Sequence, residues 1–282
     1  MTFHPLAPLR RSCGLVEVTR VRDGEELVAR GTAYVVEADR VVTCAHIVQA
    51  KAKVDAEAAS GDPHPIRVIF RDGDDVVERT AVIAEIDGDA DYAVLKLNEP
   101  VPFPALPLAE DAPADMMRWA GFGATSVALK DSSAAQENNR PATIPVPTFG
   151  ELDGVIISTH ATDRRGESVL TLLAPGVAKE AALHGNALAG SPVIVNQPSG
   201  WVVVGHLREP VIAPNTLATP LAGLLSATPA GIVRKALELP EAGWKGAPTL
   251  PYHAFLSIRE ADRPWAEELE EALQAAGFRV YL

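Results

Sequence analysis

The chain has 282 residues, 47% of them hydrophobic, with 37 acidic against 25 basic side chains and a formal net charge of −12. That length and apolar content suit one or two globular domains with buried cores. No apolar run reaches the roughly 18–20 residues of a membrane-crossing helix, and MTFHPLAPLRRS lacks the apolar centre of a secretory signal. No Lys/Arg cluster offers nucleic acid a basic face, so neither a nucleic-acid nor a membrane partner is expected, and the location is expected to be cytoplasmic. Cys13 and Cys44 are expected to be reduced and partly buried.

In chain order, Gly14 to about Leu108 alternates short β-branched runs with turn signals. LVEVT, GTAYVVE, VVTCAHIV, IRVIF, VVERTAVIAEI and DYAVLKL are separated by RDGEE, ADR, RDGDD and DGDA. Strands of this length with Asp-Gly and Gly-Asp turns predict an antiparallel all-β barrel or sandwich. A second series, MMRWAGFGA, GVIIST, SVLTLLAP, SPVIV, WVVVGHL and TLATPL, runs from Met116 to about Leu224. Within it, residues 126–148 are polar and bear prolines, which predicts a long exposed loop.

After Ala230 the pattern changes. GIVRKALEL has helical spacing, and PEAGWKGAPTLP is a Pro/Gly-rich linker. YHAFLSI, READRPWAEELEEALQAAG and FRVYL then predict strand, helix and strand, with Asp262 as cap, Pro264 in the first turn and Gly277 at the close. The expected division is 1–115 and 116–239 for two β-units, the second ending in a helix, 240–251 for the linker, and 252–282 for a short βαβ fragment whose sheet is left incomplete at Leu282.

Three segments carry possible chemistry: His46 directly after the strand VVTCA, Asp91 opening YAVLKL after a Gly-Asp turn, and ALAGSPVIV over residues 187–195. Taken singly, a histidine beside an apolar run, an aspartate in a turn and a small-residue turn are each ordinary. In this order, on two successive β-units, they resemble the chymotrypsin-like (trypsin-fold) serine peptidases, above all the bacterial branch with a Ser-Gly-Ser-Pro turn. VTCAHIV is similar to that family's Thr-Ala-Ala-His motif and DYAVLKL to its Asp-Ile-Ala-Leu-Leu motif. AGFGA resembles the Gly-Trp-Gly strand opening the second barrel, and LATPL the late Ala-Thr-Pro strand.

The resemblance covers about Cys13 to Leu224 and implies two antiparallel six-stranded β-barrels. It makes His46 the general base, Asp91 its orienting partner and position 189 the nucleophile, with the amides of Ala187 and Ala189 as oxyanion donors. In that chemistry a histidine accepts the serine proton, and an aspartate fixes its tautomer and stabilises the imidazolium. Leu183 and His184 fall where the first specificity pocket has its floor, and His206, Leu207 and Arg208 where the bound peptide backbone is lined. No cofactor and no metal are implied.

Ala189 lacks the hydroxyl. Loss of the triad serine costs on the order of 10⁶ in turnover, so the chain as written is not expected to hydrolyse peptides. Two readings stand: a working endopeptidase whose serine has been changed to alanine by engineering, or a natural pseudopeptidase that binds peptide or acts as a scaffold. The tail HAFLSIREADRPWAEELEEALQAAGFRVYL resembles the first strand, helix and second strand of a Toll/interleukin-1 receptor (TIR) domain. Peptidase and TIR modules together imply a prokaryotic defence or signalling setting, with a peptide or protein substrate and a partner protein in that system.

Overall fold

Turns that reverse the chain within a few residues leave each β-branched run beside the next, and antiparallel ladders follow. The computed structural model describes residues 7–22, 25–49, 65–73, 75–137, 140–163, 166–174, 185–198, 200–212, 220–237, 254–255 and 280–281. After a short helix α1 (Ala7–Arg10), strands β1 (Cys13–Arg22), β2 (Glu25–Glu37), β3 (Arg40–Thr43), β4 (Ile66–Asp72), β5 (Asp75–Asp87) and β6 (Tyr92–Leu97) close into a barrel in the order β1-β2-β3-β6-β5-β4. The register Cys13↔Tyr34 to Arg22↔Glu25 runs unbroken along the first hairpin, and β4 closes the ring by pairing Gly14↔Phe70 with β1.

The second unit repeats the plan. β7 (Arg118–Glu137), β8 (Arg140–Thr162), β9 (Ser168–Leu173), β10 (Pro192–Gln197), β11 (Gly200–Ile212) and β12 (Pro220–Pro229) form a barrel ordered β10-β11-β12-β9-β8-β7. A helix α2 (Ala230–Ala236) follows directly, as its apolar spacing predicts. The architecture is therefore all-β, two antiparallel six-stranded barrels in succession.

Three apolar clusters hold it together. One lies inside the first barrel around Val16, Val35, Phe70 and Leu95, and another inside the second around Leu152, Leu170, Val193 and Val204. The third joins them: Leu15, Tyr34 and Val42 of the first barrel pack with Phe122, Ile194 and Val203 of the second and with Val233 of α2. Burying such side chains contributes about 1.5–3 kcal/mol each, so the seam between the barrels is as much a core as either interior. Cys13 and Cys44 are both free and buried.

Residues 126–148 are not a loop. They form the outer part of the β7–β8 hairpin, with Ser126↔Thr148, Leu129↔Pro145 and Glu137↔Arg140 in register. The prolines are tolerated because this ribbon has one partner strand only, so an N–H facing away from that partner is not needed for the ladder. At the other end of the chain, β13 (Ala254–Phe255) and β14 (Val280–Tyr281) pair in parallel, the relation a crossover connection produces. The expected helix between them and the linker before them lie outside the described residues. No helix among the described residues is long and apolar enough to cross a membrane.

Candidate active site

His46 is placed by the end of β3. The strand stops at Thr43, and residues 45–49 turn helical, which sets His46 in the first turn with Cys44 and Ala45 buried beneath it. Asp91 is placed by the turn between β5 and β6. The Asp87 carboxylate closes that turn by accepting the N–H groups of Asp89 and Ala90, both at 2.9 Å. Asp91 itself has φ of 54°, a left-handed conformation uncommon outside glycine.

The two side chains meet. His46 Nδ1 lies 3.0 Å from both Asp91 oxygens, and the His46 backbone N–H donates to Oδ1 at 3.0 Å. Burial alone would raise the Asp91 pKa, yet the hydrogen bonds and positive character of His46, with a smaller contribution from His206, hold it below its ordinary value. An ionised Asp91 makes Nδ1 the donor and leaves Nε2 as the ring's acceptor. The pair is therefore set in the tautomer that can take a proton from a neighbouring hydroxyl.

Three successive carbonyls of the Asp91 turn are held by side chains of the second barrel. The Asp89 oxygen accepts from Arg208 Nη2 at 3.3 Å, and the Ala90 oxygen accepts from Arg208 Nη2 and, at 2.6 Å, from Thr228 Oγ1. The Asp91 oxygen lies 3.1 Å from His206 Nε2. A left-handed aspartate persists where its surroundings over-determine it, and here they do so from across the barrel seam.

This differs from the peptide-lining place expected of His206, Leu207 and Arg208. His206 and Leu207 are buried, the Leu207 N–H donates to the Ser191 carbonyl, and its carbonyl accepts from Gly190 N–H at 2.8 Å and Cys44 Sγ at 3.0 Å. Arg208, 9% exposed, reaches Thr228 Oγ1 at 2.8 Å and Asp163 at 2.9 Å. Burial lowers the His206 pKa to about 4, so its ring is neutral and its Nε2–H donates to Asp91. Leu183 and His184 lie outside the described residues.

Ala189 sits just past a 3-10 helix, Gly185–Leu188, in a turn pinned to the first barrel. Its carbonyl accepts the Thr32 N–H at 2.7 Å, and Thr32 Oγ1 donates to the Ala187 carbonyl at 2.7 Å while accepting the Ala124 N–H at 2.9 Å. Gly190 has φ of 87°, and a Cβ there would collide with the Thr32 carbonyl. Glycine is required at this point. Ala189 packs in one cluster with Cys44, Ile47 and Val48, the residues flanking His46. His46 and Asp91 are thus in contact, and Ala189 shares an apolar cluster with the residues flanking His46.

Ala187 lies inside the 3-10 helix Gly185–Leu188, and Ala189 directly follows it. Ser191 is no substitute nucleophile: it is fully buried and its Oγ donates to the Leu188 carbonyl at 2.6 Å. An open hollow of about 820 Å³, lined by Glu85, Asp87, Tyr92, His160 and Lys235 among others, has neither His46 nor Ala189 in its lining.

A family model described as a trypsin-like peptidase domain matches residues 31–205, more than half of the chain. The chain belongs to the trypsin-like peptidase family. Among solved structures, the Rv3671c protease of M. tuberculosis in its active form is similar at 19% identity, with 86% of each chain covered and a TM-score of 0.53. At that identity the likeness shows the shared fold of the peptidase domain. No curated protein matches the chain.

Functional residues the sequence did not single out are Thr32, Asp87 and Thr228. Thr32 bonds the nucleophile turn, Asp87 the base of the Asp91 turn, and Thr228 its crest. The Gly-Asp signal around residue 88 pointed to Asp87. Nothing local marks Thr32 or Thr228, because their partners are distant in sequence.

Proposed function

We propose that the chain is the catalytic unit of a serine endopeptidase in which Ala189 occupies the nucleophile position, so that the protein as written binds peptide without cutting it. The observation that carries this reading is the His46–Asp91 pair: tautomer set by two 3.0 Å contacts, backbone held in a left-handed turn by three second-barrel side chains. His46 acts as general base and later general acid, and Asp91 orients it and stabilises the imidazolium. With Ala189 in place no proton is available to abstract, and what remains is binding.

The oxyanion hole is assigned to the amides of Ala187 and Ala189. Leu183 and His184 form the floor of the first specificity pocket. A peptide or protein is the substrate, and the tail extends the unit toward a TIR-type partner module in a prokaryotic defence or signalling system.

A second reading, a pseudopeptidase that recognises peptide or supports the TIR segment, is favoured by the alanine at position 189, which has no hydroxyl. The Ala189→Ser protein separates the two. A peptidase regains covalent labelling by a fluorophosphonate at Ser in position 189, read by intact mass, and loses it again with His46→Ala. Folded Ala189→Ser protein that takes up no label sinks the endopeptidase reading and leaves the scaffold.

A further inference from the structure

Cys44 has no part in the proposed catalysis. It lies behind His46 and is fully buried. Yet its position is chemically particular. Cys44 Sγ, a ring nitrogen of His46 and a carboxylate oxygen of Asp91 all lie within 4.8 Å of one another.

We propose that Cys44, His46 and Asp91 form a binding site for a thiophilic divalent cation such as Zn(II) or Cd(II). A thiolate, an imidazole and a carboxylate are the ligand types that bind zinc through three protein groups with a fourth position open. Around a tetrahedral ion with bonds of about 2.0–2.3 Å, ligand atoms stand roughly 3.3–3.6 Å apart. His46 Nδ1 and Asp91 Oδ2 are already 3.0 Å apart, so the pair needs only to part slightly and Cys44 Sγ to close in. The Leu207 carbonyl, 3.0 Å from Sγ, offers a fourth ligand.

The ion has an approach. The His46 and Asp91 side chains are 26% and 16% exposed, so the site opens on their side while the sulfur forms its floor. On binding, the Cys44 S–H bond breaks, a sulfur–metal bond forms and one proton passes to solvent. The neutral His46 ring moves its proton from Nδ1 to Nε2 as Nδ1 takes up the ion, and no electron changes hands.

The consequence for the proposed chemistry is specific. A ring metallated at Nδ1 and protonated at Nε2 cannot accept a serine proton, so the ion inhibits by locking the wrong tautomer. The cation site itself does not depend on the peptidase reading.

The test uses Cd(II) on the chain as it stands, with Ala189 in place. The thiolate-to-cadmium charge-transfer band in the ultraviolet reads binding without any activity. The expected result is a one-to-one band that vanishes in Cys44→Ala, survives in Cys13→Ala, and needs at least tenfold more Cd(II) in His46→Gln and in Asp91→Asn. A band that persists in Cys44→Ala, equal affinity in the His46 and Asp91 variants, or no band up to about 1 mM Cd(II) overturns the site. His46 and Asp91 are partly exposed, so those two variants keep the test decisive even where Cys44→Ala fails to fold. In the Ala189→Ser protein the same concentrations of Cd(II) should block fluorophosphonate labelling. Absence of labelling without metal bears on the peptidase reading alone, since the band reports the cation site separately.

Discussion

Replacing Arg208 with methionine keeps most of the stem's volume and removes the guanidinium. Four contacts go with it: the ion pair to Asp163 at 2.9 Å, the bond to Thr228 Oγ1 at 2.8 Å, and the two to the Asp89 and Ala90 carbonyls. Ala90 keeps Thr228, and Asp163 is a quarter exposed and rehydrates in part, so the loss is smaller than the sum of its contacts. Truncating one member of a buried pair costs about 3–5 kcal/mol, and a hydrogen bond to a charged group contributes about 1.5–3 kcal/mol. With partial rehydration the expected cost is about 3 kcal/mol. In a protein of this size that lowers Tm by roughly 6–12 °C, measured by circular dichroism with scan-rate controls. Arg208→Lys should recover little of it, because one ammonium cannot span acceptors on three separate segments. A Tm shift under about 3 °C for Arg208→Met would show that the guanidinium is solvated and that the barrel seam does not rely on it.

Two further outcomes follow from the same turns. His206, with a pKa lowered from 6.5 to about 4 by burial, stays neutral where the unfolded chain takes up a proton, so the unfolded state is favoured as pH falls from about 6.5 to about 4. The full effect is on the order of 3 kcal/mol; urea unfolding across this window should show it, and a His206→Gln protein should have a shallower slope there. An equal slope in both proteins would assign the acid sensitivity elsewhere. Gly190→Ala places a methyl against the Thr32 carbonyl at a φ of 87°, with an expected loss of about 3–5 kcal/mol, and a variant that melts within about 2 °C of its parent would refute the close approach.

Two successive antiparallel β-units were readable from alternation and turn residues, which are local patterns; the two six-stranded barrels and the pairing of His46 with Asp91 were expected only because the ordered motifs resemble the trypsin-fold peptidases. The errors came where orientation is decided at a distance. Residues 126–148 have the polarity and prolines of a loop, and only their pairing with each other, Ser126↔Thr148 onward, makes them strands. HLR at 206–208 follows the run WVVV and gave no sign of which way each side chain points, since β11 shifts register between Leu207 and Pro210. A charged arginine ending an apolar run was the available clue, and a buried partner such as Asp163, 45 residues away, is what resolves it. Cys44 beside His46 was likewise visible, but its nearness to Asp91 depends on how β3 and β6 lie together in the barrel, with Thr43↔Ala93 in register.

The turn around Ala189 is assembled by main-chain bonds and by Thr32, with Ala189 contributing its carbonyl and its amide plane. Ala189 is 4% exposed and belongs to the apolar cluster flanking His46, so a serine there can keep the same backbone. A hydroxyl in that spot is costly unless it finds an acceptor: about 1–3 kcal/mol if buried unpaired, close to nothing if hydrogen-bonded. On the proposed assignment the acceptor is Nε2 of His46, whose tautomer Asp91 sets. Ala189→Ser should therefore unfold within about 1 kcal/mol of its parent, and His46→Phe should make the same substitution cost about 1–3 kcal/mol, a double-mutant coupling that urea denaturation can read. Serine that destabilises the parent as much as it destabilises the His46→Phe protein would mean that the hydroxyl and the imidazole do not meet, and the catalytic assignment of position 189 would fall with it.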